Sequence, residues 1–284
     1  MVGTSTLTTL LLGWFAGRGR DLPWRRTRDP WAVLVSELML QQTQVARVAP
    51  RFEAFLQQFP SPRACSLAPT ADVVRAWAGL GYNRRAINLQ LAAVAVVRDH
   101  GGELPADLDK LLALPGVGPY TARAVLAFAF EVDVGVLDVN AQRVLSRVLG
   151  HSVAQSEADA VVPRGRSWTW NQAVLDLGAT RCRPIPICAE CPLADAGACS
   201  WFAAGRPVPD PWRRSPHQSV FAGSDRQGRG RLVDALRAGP VAGPDVAAVM
   251  GWADDVGRAE RVAATVVDDG LAVVDLTGTY LLPT

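Results

Sequence analysis

Residues 111–125 read LLALPGVGPYTARAV: a helix, a turn over Pro115-Gly116-Val117-Gly118, then a second helix opening at Pro119. Glycines at 116 and 118 let the backbone turn tightly and leave nothing between it and a ligand. Pro119 suits the first helical position, where a missing N–H costs little. Free backbone N–H groups at the positive end of a helix make an anion site, and the anion could be small or one phosphate of a polymer. The same letters also describe a plain tight turn. What singles them out is their company: Glu37 upstream, Asp138 downstream, and four cysteines further on.

The chain has 284 residues, 49% of them apolar, which is enough for two domains or for one with a small appendage. A net charge of +2 permits nucleic acid as a partner without demanding it. The positive charge is almost all arginine, with Lys110 the single lysine. Genome base composition would produce such a bias, and the planar guanidinium also suits phosphate. The apolar patch at 7–14 is too short to span a bilayer and reads as an amphipathic first helix. No basic residue precedes it and no small-residue cleavage site follows, so no membrane association is expected. The expected compartment is the reducing cytoplasm, where clustered cysteines mean metal more often than disulfide.

Helical periodicity dominates up to residue 200. Helices are predicted at 30–42, 51–59 after a break at Pro50, 71–78, 84–100, 108–113, 119–130, 140–149 and 167–177. A cysteine loop follows at 182–199, then a proline-rich linker at 206–216. From 225 two short helical stretches precede 271–275 and 280–282, which could pair as a hairpin. Helices followed by a hairpin suggest a winged-helix module.

Cys182, Cys188, Cys191 and Cys199 are spaced C-x5-C-x2-C-x7-C. Four thiolates on one short loop suit either tetrahedral zinc or a [4Fe–4S] cluster. His100, His151 and His217 lie outside the loop, which argues against mixed ligation, and Cys65 reads as a buried apolar filler. Glu37 sits in an otherwise apolar helix, SELMLQQTQ. There a carboxyl is either at the wet edge or desolvated, and desolvation would make it a general acid near neutrality. Asp138, in VLDVN, suits a helix N-cap and could carry a second role.

Taken together, SELMLQQTQV, GLGY, LPGVGPYTARAV, LDVNAQRVLSRV, WNQAVLDLGAT and the cysteine loop resemble the helix-hairpin-helix DNA glycosylases, and among them the MutY-type adenine DNA glycosylases. The resemblance covers roughly residues 5–203. It implies an all-α, two-lobed fold: an iron–sulfur lobe from 1–28 and 136–205, and a six-helix barrel at 29–135. A linker at 206–218 then leads to a small winged-helix-like α+β tail at 219–284. It implies a monomer that removes adenine mispaired with 8-oxoguanine or guanine in double-stranded DNA, after rotating the base out of the duplex. Glu37 would protonate the departing adenine, Asp138 would stabilise the sugar cation, and Asn140 and Tyr120 would orient the pair and the water. Gly116 and Gly118 would hold a phosphate. Trp24, Arg25, Leu40 and Gln172 would line the adenine pocket, and Gln42 and Thr43 would face the opposite base. Leu80 and Tyr82 would fill the gap left by the extruded nucleotide. Cys182, Cys188, Cys191 and Cys199 would hold the [4Fe–4S] cluster. Strand-cleaving relatives carry a lysine where this chain has Tyr120, so hydrolysis without lyase chemistry is expected.

Several features depart from the family pattern. The first cysteine gap is shorter and the last longer than usual, and the usual Tyr-Tyr pair is Tyr82-Asn83. The tail resembles the short one of actinobacterial members, not the Nudix-like domain that inspects 8-oxoguanine. Two further readings share the motifs: a thymine or uracil mismatch glycosylase, and a catalytically silent iron–sulfur DNA-binding regulator. Gln41, Gln42, Thr43, Gln44 and Gln172 favour adenine over the first, and the presence of both Glu37 and Asp138 argues against the second.

Overall fold

The computed structural model describes residues 4–212 and 220–284, and among these helix is the dominant regular structure, with two short strands. Helices α1 (Thr4–Arg18), α2 (Pro30–Leu40), α3 (Val45–Gln58), α4 (Pro62–Leu67), α5 (Thr70–Ala76) and α6 (Arg84–His100) come first. Next are α7 (Leu108–Leu112), α8 (Pro119–Phe128), α9 (Val139–Leu149), α10 (Gln155–Ala160) and α11 (Ser167–Thr180). The cysteine loop carries α12 (Pro192–Asp195) and α13 (Ser200–Ala203). The tail holds α14 (Asp225–Ala238), α15 (Val246–Met250) and α16 (Val256–Asp268), then strands β1 (Val273–Val274) and β2 (Tyr280–Leu281). No helix among the described residues is long and apolar enough to cross a membrane.

The chain divides into two units. The first comprises Met1–Val33, Ala106–Leu108 and Gly118–Pro216. Its core joins Leu7, Leu11 and Trp14 of α1 to Val144, Leu145 and Val148 of α9 and Trp170, Val174 and Leu177 of α11. Spacings of three and four residues along α1 put these side chains inward, but Leu10, Leu12 and Phe15 off that stripe are apolar too, so the helix is not the amphipathic one expected. Residues 207–212 are held against this unit. Asp210 pairs with Arg147 at 2.6 Å, Trp201 Nε1 donates to Pro207 O at 3.0 Å, and Trp212 is buried. The rest of the expected linker, 213–218, lies outside the described residues.

The second unit comprises Leu34–Pro105, Asp109–Val117 and His217–Thr284. Phe55 stacks near Phe59 and edge-on to Trp77, with centroids 4.9 and 5.9 Å apart. The tail has three helices where the sequence suggests two. Their apolar faces (Leu232, Val233, Leu236, Val246, Met250, Val262 and Val266 among them) close one core with Ala71 and Val74 of α5 and Ile87 of α6. β1 and β2 pair antiparallel, Val273 opposite Leu281, and Val241 bridges to Tyr280. The helices-then-hairpin order expected of the tail is present.

Three differences from the periodicity reading have physical causes. α3 runs through Pro50, where proline removes only one bond, the N–H that would reach Ala46 O, and sits exposed. α4 and α10 are each under two turns, too short to show a period, although Ser61 caps α4 through the Ala64 amide at 3.2 Å and Pro62 opens it. α2 stops at Leu40, two residues early, with Gln42 at φ 53°.

Candidate active site and cysteine loop

Glu37, Leu40, Gln42, Thr43, Leu80, Tyr82 and Gly116 belong to the second unit. Trp24, Arg25, Gly118, Tyr120, Asp138, Asn140, Gln172 and the four cysteines belong to the first. In the second unit Glu37 stands in the last turn of α2 at 4% exposure, beside fully buried Leu38 and Met39, so its carboxyl is desolvated and not at a wet edge. Leu40 ends the helix and is half-buried.

The end of α2 and the GLGY loop are held together by one side chain that the sequence reading does not single out. Arg85 of α6 donates through Nη1 to Leu38 O (2.7 Å), Met39 O (2.8 Å) and Gln41 O (2.7 Å). Its Nη2 reaches Thr43 Oγ1 (2.9 Å), Leu80 O (3.2 Å) and Gly81 O (2.9 Å), and Nε reaches Tyr82 O at 3.3 Å. Those α2 carbonyls are the ones a helix C-terminus leaves without intrahelical partners. Burial lowers the Arg85 guanidinium to about 10. Thr43 Oγ1 also donates to Leu80 O at 3.2 Å. Thus Thr43, expected to face the opposite base, and Leu80 and Tyr82, expected to fill the gap, form one hydrogen-bonded group through Arg85. Leu80 is buried, while Tyr82 is 41% exposed and adopts φ 45°.

The two glycines of the turn differ. Gly116 has φ 76°, and a Cβ there would come within 2.7 Å of Asn88 Cβ, so the fold itself demands glycine. At Gly118 no atom of the described residues lies within 4 Å of a built Cβ.

In the first unit Asp138 is the N-cap of α9. Its Oδ1 accepts from the Asn140 and Ala141 amides at 2.8 and 2.6 Å, and Oδ2 accepts from Asn140 Nδ2 at 2.7 Å. Burial raises its pKa, and those three bonds oppose the rise by favouring the carboxylate. The expectation that capping and chemistry share this residue is physically coherent, because the capping donors also favour the ionised form against the burial that opposes it. Asn140 Oδ1 in turn accepts from Arg143 Nη2 at 2.8 Å, and Arg143 donates to Gly178 O (2.9 Å) and Cys182 O (2.6 Å). A hydrogen-bonded path therefore runs from Asp138 to the first cysteine of the loop. Gly178 allows it: a Cβ there would stand 2.8 Å from Asn140 Cβ. Upstream, Asn171 fixes 134–136 by accepting from Val136 N at 2.8 Å and donating to Val134 O at 2.9 Å.

Trp24 and Gln172 are buried at 7% and 5% exposure, and Tyr120 is the half-buried second residue of α8. Arg25 is buried too, but its Nη1 and Nη2 grip Asp176 at 2.9 and 2.7 Å, with Arg20 on the same carboxylate. Asp176, wholly buried, is a second organising residue without a sequence signal beyond its place in WNQAVLDLGAT.

Cys182, Cys188, Cys191 and Cys199 line a single cavity with Arg147, Arg181 and Trp201. Arg147 packs over the Trp201 ring at 4.7 Å and donates to Arg183 O and Pro184 O at 2.7 and 3.0 Å, bracing the loop. Among the described residues no group of three or more His, Cys, Asp or Glu side chains is placed to hold a metal ion. The thiols face a shared space without closing on one point. Cys65 is fully buried, which pushes its thiol up to about 12 and leaves it inert, as expected of a filler.

Residues 35–161 match the HhH-GPD superfamily of base excision DNA repair proteins. An adenine DNA glycosylase of Mycobacterium tuberculosis is 40% identical over an alignment of 288 residues, covering 97% of this chain and 93% of that one. The human adenine DNA glycosylase is 40% identical over 203 residues, 64% of this chain and 37% of that one. Among solved structures, a thermostable thymine-DNA glycosylase aligns with a TM-score of 0.66 at 29% identity, over 71% of this chain and 97% of that one.

Replacing Arg85 with methionine keeps the bulk and orphans a ring of buried carbonyls, each worth about 1–3 kcal/mol when left unpaired. We expect a loss of at least about 3 kcal/mol, read as a lower urea midpoint at constant slope. Arg85→Lys should recover little of it, since an ammonium has three donors and no fork.

Proposed function

The chain belongs to the adenine DNA glycosylases, base excision repair enzymes of the HhH-GPD superfamily that hydrolyse the N-glycosyl bond of adenine in DNA, and we propose that its adenine is one mispaired with 8-oxoguanine or guanine. The observation that carries the chemistry is the contrast between two carboxyls. Glu37 is 4% exposed in an otherwise apolar helix. Asp138 is buried as well, but its carboxylate accepts three hydrogen bonds that offset part of the cost of burying its charge. Unequal surroundings of this kind divide acid from charge stabiliser in glycosidic chemistry. Glu37 is the group that gives a proton to the leaving purine, and Asp138 the one that steadies the cationic sugar. Asn140 keeps Asp138 ionised, and Tyr120 borders the water.

Trp24 and Gln172 line the adenine pocket within the first unit, with Gln172 reading the base edge, and Leu40 is a further residue that meets the adenine. Arg25 shapes that pocket from behind through Asp176. Gln42, Thr43, Leu80 and Tyr82 meet the opposite strand. Gly118 admits a phosphate beside the extruded nucleotide, and Gly116 holds the turn that presents it. The enzyme is monofunctional: position 120 is tyrosine, and Lys110, the one amine on a side chain, is exposed on α7. It works as a monomer on cytoplasmic, nucleoid DNA.

The cysteine loop is read as the seat of a [4Fe–4S] cluster. Four thiols lining one cavity suit one thiolate per iron. When bound, such a cluster cross-links the loop, and Arg147 and Arg143 hold that loop to α9 whether or not it is present.

Three measurements test this. In a panel of duplexes developed with alkali, A opposite 8-oxoguanine or guanine should be released and T or U should not. Strands should stay uncut before alkali, and Glu37→Gln should slow release by about 10²–10⁴-fold. Release of thymine alone would overturn the assignment. Asn140→Ala removes a bond to the ionised form of Asp138, so its pKa rises further. The acidic limb of the rate–pH profile should then move to higher pH; a shift to lower pH contradicts the role. Purified protein should be brown and contain iron and sulfide in equal amounts, and a colourless zinc protein would replace the cluster.

A further inference from the structure

The tail is fastened to the loop that carries Tyr82. Along α14, Arg226 and Arg237 are eleven residues apart, about three turns, so they share one face. Arg226 Nη1 donates to the Tyr82 hydroxyl at 3.1 Å. Arg237 Nη2 donates to Asn83 Oδ1 at 2.8 Å, and its Nε donates to Val74 O at 3.0 Å. One helix face thus grips two consecutive residues of the α5–α6 loop by their side chains. The grip has a rigid footing. α14 shares its core with α5 and α6, Arg84 pairs with Asp269 of the tail, and the Ala71 amide at the start of α5 donates to Pro283 O at 2.8 Å.

Tyr82 is the residue such a grip would serve. Its φ of 45° is uncommon for a side chain of this size and persists only where surroundings impose it. Its carbonyl is held by Arg85 from one side, its hydroxyl by Arg226 from the other, and 41% of the residue stays open to solvent. Asn83 occupies the place of the second tyrosine in the usual pair, and here the amide is what Arg237 holds.

We infer that α14 is a clamp on the wedge, and that Arg226 and Arg237 are positioning residues that fix Tyr82 and Asn83 for entry into the duplex opposite the extruded adenine. This rests on the reading of Tyr82 as the wedge. A preset aromatic binds without first surrendering its rotamer freedom, so the clamp acts on affinity and on stacking with the neighbouring base.

The test uses the full chain and a duplex with a non-cleavable adenine analogue opposite 8-oxoguanine, with 2-aminopurine beside the 8-oxoguanine to report stacking. Tyr82→Phe deletes only the hydroxyl, and Arg226→Ala removes its partner together with the guanidinium's place over the Phe221 ring. Each should weaken binding about three- to tenfold and reduce the fluorescence change. The double variant should be no weaker than either single one, as for two halves of one interaction. The loss should fall on affinity and not on the saturated single-turnover rate. Arg237→Ala should act in the same direction, and should it fail to fold, the two surface variants still decide. If Tyr82→Ala abolishes the fluorescence change while Tyr82→Phe and Arg226→Ala bind and stack as the parent does, the clamp is wrong and the wedge stands. Losses that add in the double variant also overturn the clamp. If Tyr82→Ala itself binds and stacks normally, the wedge reading is what fails.

Discussion

A guanidinium is among the costliest groups to bury, and this fold buries one where two segments must meet. Arg85 is tolerable inside because carbonyls and a hydroxyl take up its donors from several directions, which a point charge on a flexible stem could not arrange. The carbonyls it takes are those that the end of α2 leaves open, so its positive charge also meets the negative pole of that helix. The consequence reaches the chemistry. Glu37 lies in the turn being capped, and Thr43, Leu80 and Tyr82, proposed to meet the opposite strand, are bound by the same side chain. The proposed acid, pocket edge and wedge therefore share one mechanical reference.

The first unit repeats the device with different parts. Arg143 takes the Gly178 carbonyl near the end of α11 and the Cys182 carbonyl of the loop, and it holds Asn140 against Asp138. Arg147 takes the next two loop carbonyls and Asp210. Arg25 and Arg20 share Asp176. The arginine surplus reads in the sequence as a preference for phosphate or as genome bias. Much of what the structure shows is a third use: arginine as internal framing, chosen for a planar fork that satisfies several backbone oxygens at once.

That third use marks where the sequence becomes hard to read. Helices of ten or more residues are legible, because an apolar stripe repeats often enough to show its period, as in α6 and α9. Glu37 and Asp138 stand out because a carboxyl is conspicuous in an apolar helix or ahead of a helix start. The cysteines stand out by spacing. Arg85, Arg143 and Asp176 have no such mark. Arg85 and Arg143 are held chiefly by carbonyls, which every residue has, and Asp176 by Arg20 and Arg25 from the far end of the chain. A pattern of side chains cannot show a bond whose other half is backbone. Nor can it show one between distant side chains, as in the tail's grip on Tyr82, whose two ends are 144 positions apart.

Glycine separates what the chain needs for itself from what it needs for a ligand. At Gly178 the reason is internal: a methyl group would strike Asn140 and break the path from Asp138 to the cysteine loop. At Gly116 it is internal as well, since both the backbone angle and the Asn88 side chain exclude any other residue. Gly118 differs. Its backbone lies in a region open to all residues, and among the described residues nothing stands where a side chain would go. Protein packing therefore gives no reason for glycine at 118. The proposed DNA phosphate would supply one, as an object outside the chain that approaches the first N–H groups of α8 more closely than a methyl group permits. A phosphate of the substrate backbone has the charge that those N–H groups attract and the size that the open space admits.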